Sequence, residues 1–557
     1  MNSGYLLMIA AVVVIFAWQS ISSKRRRQAK MWGEIRGQWG GPTECEYTAD
    51  EFQRIASYYN RHKGEGEFID DITWSDLDMD SMFLVMDRTF SFIGEEYLYY
   101  FLRTPVRDQE ILNERERLFA HFDEDDRARE SLQEIYYQMG KNKWRSLSES
   151  IYRFGGVTAP NILRHYLQAV GFFIALLSIF LVPQVGIILT VIMLMVNIAT
   201  YYQEKAQIEP YIDAIGQISR LLHCSEEVVK LADPQLADYT SRLSKANRDL
   251  KNFRRKAWRI RTGNGMSGSI SDAMMDYVRM VFHTDLIAFG QVAGIVRDNW
   301  KAVEELMAVL GYLESCIAVA SFRRWLPYYS IPQFCGNEKL IYEAEDLYHP
   351  LLTEPVANSI LEDGCVLLTG SNASGKSTFL KTVALNVLLA QTVNTAIASS
   401  YRANFYRLYT SMALRDDICA GDSYYMVEIK ALKRILDAVN PTAPVLCCVD
   451  EVLRGTNTVE RIAASTKILE RISCENVKCF AATHDLELTN LLEGRYHNYH
   501  FREEMEDDDI VFHYLLHKGP ATTRNAIRLL SILGYRSDII AEAEEMANHF
   551  LESGKWE

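Results

Sequence analysis

Between Cys365 and Leu385 an apolar run, a glycine-framed turn and a helical pattern follow one another without a break. Cys365-Val366-Leu367-Leu368-Thr369 reads as a buried strand, and Phe379 to Leu385 reads as a helix. The turn between them is Gly370-Ser371-Asn372-Ala373-Ser374-Gly375-Lys376-Ser377-Thr378, which fits Gly-x-x-x-x-Gly-Lys-Ser. In a strand–turn–helix setting this pattern makes a phosphate cradle. Backbone N–H groups and the positive end of the new helix face the phosphate oxygens. Lys376 would reach the terminal phosphates, and the Ser377 hydroxyl would ligate Mg²⁺. The plain alternative is a Gly/Ser turn beside a surface lysine, and the flanks argue against it.

Two later strands end in the groups such a loop needs. Val445-Leu446-Cys447-Cys448-Val449 runs into Asp450-Glu451. An Asp there can hold Mg²⁺, and the adjacent Glu can orient or deprotonate an attacking water, so Asp450 is assigned to the metal and Glu451 to the general base. An acidic pair after an apolar strand is common; paired with the phosphate loop it becomes specific. Lys478-Cys479-Phe480-Ala481-Ala482 is capped by Thr483-His484-Asp485, which puts His484 where a sheet-based ATPase senses the terminal phosphate.

The chain has 557 residues, enough for three or four structural units. Its formal net charge of −14 argues against coating nucleic acid along its whole length and leaves room for a local basic face. Ten cysteines occur without a C-x-x-C pair or zinc spacing, as expected of reduced, buried thiols.

Three apolar segments change the class of the protein. Leu6 to Ile21 carries no charge and is followed by Lys24-Arg25-Arg26-Arg27, the reverse of a cleaved signal peptide, so it reads as an uncleaved anchor. The positive-inside tendency then leaves the rest of the chain in the cytoplasm. Tyr166 to Val182 and Val185 to Tyr202 flank Pro183-Gln184, and each approaches the roughly 20 residues that cross a bilayer. Neither shows a polar stripe, which favours a membrane hairpin with cytoplasmic ends over a buried helical pair. A multi-pass protein of the cell membrane is expected.

Elsewhere the pattern is helical. An amphipathic helix is expected near Asp50 to Tyr59, and Ile208, Tyr211, Ile212, Ile215, Ile218, Leu221 and Leu222 recur at helical spacing. Arg242 to Arg261 holds nine basic residues against Asp249, with Phe253 and Trp258 interleaved. Nucleic-acid phosphates and anionic lipid headgroups are equally open as its partner.

Taken in order, these motifs resemble the DNA mismatch-recognition MutS family. Asp450-Glu451-Val452-Leu453-Arg454-Gly455-Thr456-Asn457-Thr458 resembles its acidic strand end and R-G-T-x-T subunit-contact loop, and Ala482 to Leu488 its A-T-H-x-x-E-L element. Asp416 to Ser423 with Met426-Val427-Glu428 is similar to its G-x-S-T-F-M-x-E segment, and Tyr348-His349-Pro350 to its H-P entry. Thr89 to Pro105 and Ile111 to Phe122 are similar to its core-helix segment. The resemblance implies ATP and Mg²⁺ as the ligands, a homodimer with composite sites, and Ser423 reaching the partner's nucleotide. It also implies DNA binding, with no metal other than Mg²⁺.

The departures are as informative. The family's mismatch-reading domain with its Phe-x-Glu wedge has no counterpart, and the aromatic that stacks on adenine is replaced near Pro355-Val356-Ala357-Asn358. The family's K-x-Y-G element reads Thr523-Arg524-Asn525-Ala526. The expected organisation is an anchor over 1–30, a linker over 31–65, helical core over 66–160, a membrane hairpin over 161–205, helical core and lever over 206–335, and an α/β phosphate-loop ATPase unit over 336–557. The alternative is an ATP-gated membrane scaffold that binds lipid or protein partners and not DNA.

Overall fold

The computed structural model describes residues 3–553 apart from 44–45, 65, 143–145, 155–160, 258–259, 261–276, 337–338, 372–373, 413–423, 440–442, 455, 475, 507–508, 522–526, 528–529 and 531–533. Two units emerge, one of residues 1–66, 86–101 and 118–322, the other of 67–85, 102–117 and 323–557.

The first unit is helical. Its opening helix, Ser3–Gln38, contains the expected anchor and continues past the basic cluster into the stretch expected as linker. Nothing there breaks a helix, and Met31 and Ile35 are buried. The helix expected over Asp50 to Tyr59 is two, Ala49–Ile55 and Ser57–His62. Thr48 starts the first with a capping box, its side chain accepting from Glu51 N while Glu51 accepts from Thr48 N at 2.9 Å.

The two hairpin helices are Ile162–Leu181 and Pro183–Lys230, joined at Val182. Pro183 suits a helix start, and the turn is tight enough that a Cβ on Gly186 would sit 2.5 Å from Ile179 N. Phe173, Ile174, Leu177, Phe180, Leu181, Ile188, Ile192 and Met195 are all exposed. Among the described residues, three helices are long and apolar enough to cross a bilayer. In Trp300–Trp325 the apolar window is 83% buried, which makes it a core helix, against 17% and 22% in the hairpin. The second hairpin helix runs on into the unit, burying Ile208, Ile215, Ile218, Leu221 and Leu222. The helices Ala237–Asp249 and Lys251–Ala257 follow it and bury Leu243, Ala246 and Phe253.

The second unit holds two sheets. Its strands are β1 Gln333–Cys335, β2 Tyr342–Leu347, β3 Asn358–Glu362, β4 Cys365–Thr369, β5 Ser400–Asn404, β6 Arg407–Ser411, β7 Val445–Asp450, β8 Val477–Ala482, β9 Tyr496–Glu506 and β10 Asp509–Lys518. The smaller sheet has the order β1-β5-β2-β3, the larger β10-β9-β4-β8-β7-β6. In the larger, only β9 and β10 are antiparallel. β4 and β8 are buried throughout, as continuous apolar runs in a covered parallel sheet must be. Leu368 pairs with Ala482 and Asp450 pairs with Ala482, so the carboxyl ends of β4, β7 and β8 lie level.

Residues 67–85 and 102–117, which sequence reasoning assigns to the helical core, pack within this unit. Asp76 accepts from the Thr410 hydroxyl at 2.6 Å and Met412 N at 3.0 Å. Arg323 forks onto Glu116 at 2.7 and 2.8 Å.

Candidate nucleotide-binding site

Gly370 leaves β4 with φ 143°, and Gly375 precedes the helix Lys376–Val393 with φ 105°. Both values are strained for a residue with a Cβ, and at Gly370 that atom would lie 2.7 Å from the Phe501 carbonyl oxygen. The buried Lys376 folds back over the turn, its Nζ donating to the carbonyls of Gly370 and Ser371 at 2.7 Å each. A cleft of about 460 Å³ opens beside the loop, lined by Tyr348, His349, Leu352, Asn358, Ser371, Lys376, Ser377, Thr378, Glu451, Arg454 and Tyr514 among others.

Asp450, at the end of β7, shares a hydrogen bond with Ser377. Burial pushes the Asp450 carboxyl up, and the Ser377 bond partly offsets it. Its Oδ1 is buried with no hydrogen-bond partner among the described residues, and so is Ser374 Oγ. An orphaned carboxylate oxygen beside a serine hydroxyl is a hard-oxygen donor set, and it fits Mg²⁺.

Glu451 stands in a strained turn, with φ 57° at Glu451 and 61° at Leu453. Its carboxylate accepts from the Arg454 guanidinium and lies 3.3 Å from His484 Nδ1. Burial opposes its ionisation, but the bonds from His484 and Arg454 outweigh burial and hold the carboxyl down at about 2. In this arrangement Glu451 is a weak base, better suited to orienting a water than to deprotonating it. The same Glu451 bond pushes the His484 imidazole up against the opposing effect of burial. Asp485 is held by a fork from Arg461 at 2.6 and 2.9 Å.

Sequence reasoning quoted Glu428 within a motif and gave it no role. The structure buries Glu428 and has it accept the backbone N–H groups of Leu453 and, at 3.2 Å, Arg454. It therefore holds the turn that carries Glu451. Tyr514 was missed entirely. With an aromatic absent at 355–358, β10 supplies one from 156 positions beyond Asn358, at a shift in its register with β9. Asn358 holds that kink, donating to Tyr514 O at 3.0 Å and accepting from Leu516 N at 2.7 Å. No local signal marks Tyr514. Among the expected positions, Asn372, Ala373 and Ser423 lie outside the described residues, as do Asp416 to Asp422, Gly455 and Thr523 to Ala526.

The sequence profile of MutS domain V matches residues 366–551, the stretch from β4 through the larger sheet and into the last helix. Over this stretch the chain is similar to the MutS family. MutS domain V is an α/β ATPase domain. The chain is 32% identical over 203 residues to the DNA mismatch repair protein MutS of Thermus aquaticus, covering 36% of this chain and 25% of that protein. It is 28% identical over 282 residues to the DNA mismatch repair protein MutS of Halothermothrix orenii, covering 48% and 31%. With the Thermus thermophilus protein of the same name it shares 31% over 257 residues, 45% and 31%. The chain thus spans a third or less of the length of these MutS relatives.

Proposed function

We propose that this protein is a membrane-anchored, Mg²⁺-dependent ATPase of the MutS type that works as a dimer and acts on DNA. The observation that carries the reading is convergence: Lys376, Ser377 and Glu451 line one cleft, with Asp450 bonded to Ser377 and His484 3.3 Å from Glu451, so that groups from three strand ends come together there. The loop N–H groups and Lys376 bind the terminal phosphates, Tyr514 and Leu352 flank the base, and Glu451 with His484 holds the attacking water. Ser377 and Asp450 would hold Mg²⁺, which neutralises charge on the transferring phosphoryl group. Ser423 of the second copy completes each pocket. The exposed apolar hairpin supports a multi-pass membrane protein, and the basic cluster Lys24-Arg25-Arg26-Arg27 after the first apolar segment favours an ATPase unit on the cytoplasmic side. Mismatch reading itself is not carried over.

The basic helices supply the DNA contact. Arg242, Lys245, Arg248, Lys251, Arg254 and Arg255 are exposed. Arg254 pairs with Glu226, 22 positions along the helix from Glu204 at the hairpin's foot, which is about 33 Å at helical rise. That is several Debye lengths from a headgroup layer, and it favours a phosphate polymer over bound lipid. The scaffold reading has one observation in its favour: Glu305 and Glu226 already neutralise Arg242 and Arg254.

Nucleotide binding and hydrolysis by the full-length protein test the ATPase. Lys376→Ala is expected to lose ATP binding, while Glu451→Gln keeps ATP bound and turns over about 10²-fold more slowly. Equal loss of affinity in both variants would sink the division of roles. Duplex binding over a range of salt tests the DNA contact, and charge reversal at Arg254, Arg255 and Lys256 is expected to abolish it. Affinity that survives the reversal favours the scaffold.

A further inference from the structure

The opening helix carries a cluster of positive charge that neither the nucleotide site nor the DNA contact uses. Ser3–Gln38 is one unbroken helix, so distance along it can be counted at about 1.5 Å per residue. Its sequence is uncharged from Leu6 to Ile21, and Trp18 and Ile21 are exposed at the end of that stretch. Lys24, Arg25, Arg26, Arg27 and Lys30 follow, all exposed. Among the described side chains of this helix, Met31 is the first to be buried and Ile35 the next, after which Arg36 forks onto Glu130 at 2.9 and 3.1 Å. The helix thus passes through three surroundings in turn, apolar, cationic and protein core. Lys24 to Lys30 covers about 9 Å, close to the depth of about 5–8 Å that headgroups occupy on one side of a bilayer.

Two features of the cluster select its partner. Cations elsewhere in the helical unit are already paired, Arg164 with Glu204, Arg242 with Glu305 and Arg254 with Glu226. Lys24, Arg25, Arg26 and Arg27 have no ion-pair partner among the described residues, and Lys30 reaches only Glu34, at 3.5 Å. Four successive residues also turn through a full circle, at about 100° each, so the charges ring the helix. A duplex or a protein partner lies against one side of a helix, whereas a headgroup layer surrounds it. We propose that residues 24–30 form a collar of cations that binds the phosphates of anionic phospholipids around the helix where it leaves the bilayer. The inference rests on the membrane reading above and goes beyond it by naming the lipid class. In a zwitterionic lipid the headgroup amine balances the phosphate, so the collar gains far less from it. Arginine forks onto phosphate oxygens and lysine meets them as a point charge. The chain as a whole carries −14, so an anionic surface repels it wherever such a cluster does not offset the charge. At the hairpin's foot Tyr166 and Tyr202 are exposed as interfacial aromatics, but the neighbouring Arg164 is paired, so the free charge sits on the opening helix. Met31 follows Lys30 directly, and the helical unit begins where the headgroups end.

Spin-labelled lipids test this, with full-length protein reconstituted in phosphatidylcholine vesicles that carry a trace of labelled phosphatidylglycerol or labelled phosphatidylcholine. Wild-type protein is expected to restrict the motion of the phosphatidylglycerol label with at least about threefold higher relative affinity at about 0.05 M salt, and the preference should fall towards unity at about 1 M. Lys24→Gln, Arg25→Gln, Arg26→Gln and Arg27→Gln together should lose the preference. Arg25→Lys, Arg26→Lys and Arg27→Lys together should keep it, since charge and not the arginine fork sets the affinity. The salt dependence of the wild type needs no variant, so a variant that fails to insert does not shield the proposal. Equal restriction of the two labels by wild-type protein overturns it. So does a preference that survives the four glutamines, and if duplex DNA binding is lost in that variant instead, the cluster belongs to nucleic acid. Protein that alkaline carbonate strips from the vesicles overturns the membrane reading and the collar with it, whereas protein that stays embedded without lipid preference overturns the collar alone.

Discussion

Glu428→Ala is expected to slow hydrolysis while leaving nucleotide binding in place. The buried Glu428 carboxylate accepts two backbone N–H groups, those of Leu453 and Arg454, in the turn that follows β7. That turn is strained: Glu451 and Leu453 both hold left-handed φ, and each such residue costs about 1–3 kcal/mol. Removing the acceptor strands the buried Leu453 donor and the part-buried Arg454 donor, at up to about 1–3 kcal/mol each. The two terms are similar in size, so without Glu428 the strained turn has no net support and relaxes. Glu451 then leaves its position beside Arg454 and His484. A loss of about 2 kcal/mol in positioning corresponds to about 30-fold in kcat. The assay is single-turnover hydrolysis beside binding of a fluorescent ATP analogue, both on full-length protein. Glu428→Gln keeps one acceptor and should fall between. A kcat within about twofold of wild type, or binding lost in parallel with kcat, would refute the reasoning.

Three other outcomes are expected. Gly370→Ala forces a Cβ to 2.7 Å from the Phe501 carbonyl at φ 143°, so ATP affinity should drop at least about tenfold in a protein whose circular dichroism is unchanged; retained affinity would contradict it. His349 is held down at about 4 by burial and by Lys381, so between that value and its ordinary 6.5 the unfolded chain binds more protons. Stability should therefore fall as pH drops through this window, by up to about 3 kcal/mol, and urea unfolding of His349→Gln should lose that slope. A cysteine placed at Gln184 should react with an impermeant maleimide from the outer face of intact cells; labelling only after lysis would reverse the hairpin.

Residues 365–385 show what the sequence by itself determined. A strand, a left-handed glycine and a helix start are set by φ/ψ sterics and apolar patterning over a few neighbours, so Gly370, Gly375, Lys376 and Ser377 were legible as a unit. The helical hairpin was legible for a similar reason, since residues 166–182 and 185–202 are apolar all round. The same rule reaches its limit at Trp300–Trp325, whose composition also suits a bilayer and which only burial identifies as core. Asp450 and His484 could be nominated as strand ends, but nothing local says that they meet. The strand order β9-β4-β8-β7 and its level register bring them together. Glu428 and Tyr514 lay beyond reach because their roles are contacts with backbone and cleft across 25 and 156 positions. The contact between the buried His165 and His283 rings, 118 residues apart, is a further case. Short-range sterics and periodicity write elements into a sequence, whereas a contact between two ring nitrogens 3.0 Å apart exists only once packing has brought distant segments together and excluded water from between them.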